Sequence, residues 1–144
     1  MKKIVSLLII FLMFFVSGCK TTVTKITTVE ELDDLLGESD VLKYDIRLTD
    51  ACEEGHIPGF MCMGPVSEEE KDSKIEQIIT NIKTLYQNMN KKIVIIDEDN
   101  ASAIYILNSL KSAGYHNLYY FDGGYNQYVA LKGESFIPET GCNC

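Results

Sequence analysis

Ile93-Val94-Ile95-Ile96-Asp97-Glu98-Asp99-Asn100-Ala101-Ser102 is the stretch that decides the fold. Four consecutive branched or β-branched apolar residues, with no polar alternation, describe a strand covered on both faces, the pattern of a parallel sheet. The run stops at Asp97. The polar segment through Ser102 leads into a helix to about Ala113, with Ile104, Leu107 and Leu110 inward and Gly114 closing it. Upstream, Ile75, Ile78, Ile79, Ile82, Leu85 and Met89 recur at 3.6-residue spacing, and Ser67 with Glu70 forms a capping box that opens this helix. Further out, residues 29–36 read as a short helix between Thr28 as N-cap and Gly37 as stop, and residues 41–46 as a strand. A Gly55-His56-Ile57-Pro58-Gly59 turn precedes the apolar residues 60–63; residues 118–121 form another strand, and Gly123-Gly124 opens a last helix to about Leu131. Strands alternating with helices over short links predict a single α/β domain, its central, mostly parallel sheet flanked by helices. Ligands of such sheets sit beyond the C-terminal strand ends, where the 97–102 loop falls.

At 144 residues the chain holds one compact domain and no second. Its net charge is −8, and the first eighteen residues contain two Lys and no acid, so the remainder carries −10. Such a surface has no basic stripe for nucleic-acid phosphates and is disfavoured on anionic lipid headgroups. Lys2 and Lys3, the thirteen-residue stretch 4–16, apolar except for Ser6, and the small residues Ser17 and Gly18 make a secretory signal over residues 1–18. The run is short of the roughly 20 apolar residues that span a bilayer. Val16-Ser17-Gly18-Cys19 resembles the lipobox of bacterial lipoproteins, which implies a lipidated Cys19 as the mature N-terminus. Residues 19–28, Thr-rich and polar, then read as a tether to a domain on the extracytoplasmic face of the cell membrane. Export places the remaining thiols where lasting disulfides form.

From about residue 26 to 131 the chain resembles a single rhodanese-like domain. Asp45-Ile46-Arg47 matches that family's D-x-R, and Gly55-His56-Ile57-Pro58-Gly59 its G-H-I-P-G turn. The strand 91–96 corresponds to the one that delivers the active-site loop. Leu110-Lys111-Ser112-Ala113-Gly114-Tyr115 matches the end of the following helix, and Asp122-Gly123-Gly124 with Tyr128 the terminal motif. The resemblance implies a nucleophilic Cys, able to carry sulfur as a persulfide, at the start of the loop. Anchoring on Gly114 puts that position at Asp97; anchoring on Ser102 puts it at Ile96. Neither is Cys. A low-pKa thiolate needs positive potential, whereas Asp97, Glu98, Asp99, Asn100, Ala101 and Ser102 offer three acids and no base. Each anion at ~5 Å costs an incoming thiosulfate-like anion roughly 1–3 kcal/mol.

Two readings of this loop stand side by side. Asp97, Glu98, Asp99 and Asn100 are hard oxygen ligands of the kind Ca²⁺ or Mg²⁺ takes. Alternatively Asp97 or Asp99 accepts hydrogen bonds from the loop amides and caps the helix, so that the protein's own carboxylate fills the anion cradle. Capping is the favoured reading, and no metal ion or cofactor is expected. Asp45, Arg47, His56, Gly123 and Gly124 read as structural, with Arg47 satisfying backbone carbonyls or a carboxylate near Asp45; the family's acidic partner for this Arg is Ala51 here. Cys52, Cys62, Cys142 and Cys144 allow three pairings. Cys52 and Cys62 are either buried small hydrophobes or a structural bridge, and Cys142-x-Cys144, in the tail 132–144, is a frayed end, a labile redox pair or a pair of soft-metal ligands, two short of a four-ligand site. The expected role is a membrane-anchored binding or scaffold module that lacks sulfurtransferase activity, with a protein or small-molecule partner that the sequence does not identify. The alternative is a thiol-redox or sulfur-handling enzyme working through Cys142 and Cys144.

Overall fold

A computed structural model describes residues 22–142. Five strands, β1 (Thr22–Ile26), β2 (Val41–Asp45), β3 (Met61–Cys62), β4 (Lys92–Ile96) and β5 (Asn117–Phe121), form one sheet in the order β1-β5-β4-β2-β3. Every pairing is parallel. Helices α1 (Val29–Leu36), α2 (Thr49–Glu54), α3 (Lys71–Leu85), α4 (Ala101–Ser112) and α5 (Gly124–Lys132) make the connections.

β4 carries the sheet's logic. Ile93 and Ile95 point into a cluster with Leu42, Tyr44, Leu118 and the inner faces of α3 and α4, while Val94 and Ile96 point into a second cluster with Ile26, Leu32, Phe60, Phe121 and Tyr128. A period-two chain covered on both faces must be apolar at every position, which is why this run shows no alternation. All four residues are buried.

Helix α1 has the bounds expected, with Glu31 N–H donating to the Thr28 hydroxyl at its start. Elsewhere the structure departs from the sequence reading. Residues 22–26, within the stretch whose composition reads as tether, are edge strand β1, paired along its whole length with β5. β-Branched Thr and Val suit a half-covered strand, and Ile26 is fully buried. Ser67 makes no side-chain cap; it precedes a 3₁₀ turn over Glu68–Glu70, and α3 begins at Lys71. Leu85 is exposed and Met89 lies beyond the helix. On α4 the buried positions are Ala103, Ile106, Leu107 and Leu110, so Ile106 takes the inward place assigned to Ile104. Helix α2, six residues with a single buried side chain, has too short a pattern to be read. Among the described residues no helix is long and apolar enough to cross a membrane.

Candidate functional site

The parallel sheet brings the C-terminal ends of β2, β4 and β5 to one edge, and there the 97–102 loop passes from β4 into α4. The Asp97 side chain turns back into the loop rather than out to solvent and is buried. One carboxylate oxygen accepts the Asn100 N–H; the other accepts the Ser102 N–H at 2.9 Å and the Ala103 N–H at 3.0 Å. Asp99 adds a second cap, accepting the Ala101 N–H at 3.1 Å. Ser102 and Ala103 belong to the first turn of α4, whose N–H groups have no intrahelical partner. The residue at the conventional capping position, Asn100, makes no cap with its side chain and lies in the left-handed region at φ 83°. Capping has therefore moved three residues upstream, to Asp97.

Burial pushes the Asp97 carboxyl above the usual carboxylate range, with the Asp99 charge acting the same way; the three amide donors only partly oppose this. The loop is fixed from behind by the start of α5. Tyr125 N–H donates to the Asp97 carbonyl at 2.8 Å. A side chain on Gly124, at φ 67°, would stand 2.5 Å from the carbonyl oxygens of both Asp97 and Glu98. Only glycine permits that approach, which gives the Gly123-Gly124 motif its physical reason.

Arg47 clamps the neighbouring strand end. Its guanidinium holds the Asp45 carboxylate with two nitrogens, at 3.0 and 2.7 Å, donates to the Gly55 carbonyl at 2.8 Å, and stacks 3.4 Å above the Tyr125 ring. Both ions are buried, so Asp45 two residues away serves as the acidic partner that Ala51 cannot be. What remains at the loop mouth is a cavity of about 50 Å³ lined by Arg47, Glu68, Lys71, Asp97, Glu98 and Asp99. Beside it an open groove of about 520 Å³ runs between α3 and α4, with Asp72 and Glu76 on its wall and the Tyr105 hydroxyl bonded to Glu76. Acids line both.

His56 takes no part in this loop. Its buried ring faces Cys52, Cys62 and Glu139, and its backbone pairs with Glu139 through two hydrogen bonds of 2.9 Å. Cys52 and Cys62 are joined by a disulfide that ties α2 to β3. Cys142 is also disulfide-bonded. Cys19 and Cys144 lie outside the described residues, as does the signal segment. The roles of Glu139 and Tyr125 carried no sequence signal, since each acts through a contact made far along the chain.

Residues 28–131 match the family model for the rhodanese-like domain. No curated protein is significantly similar to the chain in sequence. Among solved structures, the chain is similar to the Alr3790 protein from Anabaena sp. (TM-score 0.61, 21% identity, 82% of this chain and 92% of that one). It is also similar to the human single-domain sulfurtransferase TSTD1 (TM-score 0.55, 18% identity, 77% and 97%). A thiosulfate sulfurtransferase from Pseudomonas aeruginosa matches at TM-score 0.60 and 18% identity over 83% of this chain, which spans 20% of that longer one. At these identities the likeness is one of fold.

Proposed function

The chain belongs to the rhodanese-like domain family, and from that premise we propose that it is a binding or scaffold member whose 97–102 loop does not transfer sulfur. Asp97 in this reading stands where active members carry the nucleophilic Cys. The observation that carries the proposal is the Asp97 carboxylate accepting the Asn100, Ser102 and Ala103 amides, the donors that would otherwise cradle a bound anion. A carboxylate forms no persulfide, and Glu98 and Asp99 at the mouth disfavour an anionic sulfur donor. We place the domain on the outer face of the cell membrane, held by lipid on Cys19; the support for this is the sequence pattern of residues 1–19.

A second reading, thiol-redox chemistry through Cys142 and Cys144, draws on the disulfide state of Cys142. Thiosulfate:cyanide sulfur transfer by the full chain separates the two. The proposal expects no turnover above background, and little from Asp97→Cys alone, because both flanking acids remain. Turnover abolished by Cys142→Ser supports the second reading. Turnover that survives replacement of Cys52, Cys62, Cys142 and Cys144 together overturns the proposal.

A further inference from the structure

The buried group that the loop chemistry leaves unused is the set around the Cys52–Cys62 bridge. Cys52, His56 and Cys62 are all buried, and their two sulfurs and a ring nitrogen lie within 4.8 Å of one another. His56 Nδ1 faces the bridge, 3.8 Å from Cys62 Sγ and 3.0 Å from the Cys52 carbonyl oxygen. On the other side of the ring, Nε2 lies 3.7 Å from the Glu139 carboxylate. Glu139 is itself anchored: its backbone pairs with His56, and its side chain accepts the Gly59 N–H at 2.8 Å.

We propose that reduction of this disulfide converts Cys52, His56 and Cys62 into a binding site for Zn²⁺. A dithiol supplies two electrons and two protons; the S–S bond breaks, two thiols form, and the dithiol closes to its own disulfide. Zn²⁺ then displaces the two thiol protons and takes Nδ1 as third ligand, with the imidazole proton on Nε2. Two thiolates, one neutral imidazole and Zn²⁺ sum to zero charge, the least costly ionic set for a buried position. Nδ1 leaves the Cys52 carbonyl without stranding it, since that oxygen also accepts the Gly55 N–H at 3.1 Å. Glu139 acts as a positioning residue, its carboxylate facing Nε2–H and fixing the tautomer that presents Nδ1 to the metal. Three protein ligands leave one coordination position for a water or an incoming group.

The test uses the full chain in detergent with Cys19→Ser, Cys142→Ser and Cys144→Ser, so that Cys52 and Cys62 are its only cysteines. The protein is reduced with a phosphine, which does not compete for the metal as a dithiol would, and titrated with Zn²⁺ against a chromophoric chelator; Co²⁺ serves as spectroscopic probe, with far-UV circular dichroism recorded alongside. Expected are one Zn²⁺ per reduced chain and none on the oxidised chain, with thiolate-to-cobalt charge-transfer absorption. Glu139→Gln should weaken binding about 10–100-fold while the cobalt spectrum keeps its form. A folded reduced chain that binds no Zn²⁺ overturns the proposal. So does undiminished binding in His56→Ala, or a chain that unfolds on reduction with or without Zn²⁺.

Discussion

Replacing Asp97 by Ala tests the loop as a self-capped element. The substitution strips three N–H groups of their acceptor, and two of them open α4. Loss of a helix cap costs about 0.5–2 kcal/mol, and each buried amide left unsatisfied about 1–3 kcal/mol. Against this stands the cost of holding a carboxylate out of water, which the upward displacement of its pKa records. The balance is a loss of about 2–3 kcal/mol, or roughly 8–12 °C in Tm for a domain of this size. Urea denaturation of both proteins at pH 7 reads it directly. The pH dependence carries a sign. Because the folded-state pKa lies above the ordinary value, the advantage of Asp97 over Ala is fully present below that ordinary value. It shrinks as pH rises through the raised one. The gap between the proteins should therefore be wider near pH 4 than at pH 7. A variant within 0.5 kcal/mol of the parent, on the scale of ordinary surface substitutions, or a gap that narrows on acidification, would mean that Asp97 does not cap the loop in this way.

Three further outcomes follow from the same geometry. Arg47→Ala leaves the Asp45 carboxylate buried and uncompensated, and should cost about 3–5 kcal/mol in denaturant titrations. Arg47→Lys should recover only part of this, since an ammonium cannot hold Asp45 with two nitrogens, reach Gly55 and stack on Tyr125 together. Replacing Cys52 and Cys62 by Ala removes a bridge of sequence separation 10 and should lower stability by about 3 kcal/mol, measured on oxidised protein. Asn100→Ala should cost about 1–2 kcal/mol because of the left-handed backbone there, whereas Asn100→Gly should match or exceed the parent in thermal melts.

Much of the fold is legible because its signals are local. The unbroken apolar run of β4 and the capped, Gly-terminated α1 announce themselves within a few residues. What escapes is whatever depends on a distant partner. Strand β1 looks like a polar tether until β5 is set beside it, and its single fully buried residue, Ile26, gives no alternation to read. On α4, Ile104 and Ile106 are equally apolar, and the direction of the sheet alone chooses between them. At the site, carboxylate capping of the 97–102 loop follows from acids preceding a helix start. That Asp97 rather than Asn100 does most of it depends on the left-handed turn at Asn100, which no residue count reveals. The pairing of Arg47 with Asp45 is similarly settled by packing: the guanidinium is held between Asp45, Gly55 and the Tyr125 ring, and Tyr125 arrives from the far end of the chain.

On the proposed function, the Asp97 carboxylate that accepts the Asn100, Ser102 and Ala103 amides occupies the cradle an anionic sulfur donor would need. Titration of ¹⁵N-labelled protein with thiosulfate, following the amide resonances of Asn100, Ser102 and Ala103, tests it most directly. Those resonances should not move in a saturable way with thiosulfate, yet should shift together as Asp97 is protonated. Saturable thiosulfate shifts at these three amides in the parent protein would mean that the cradle is open and that Asp97 does not fill it.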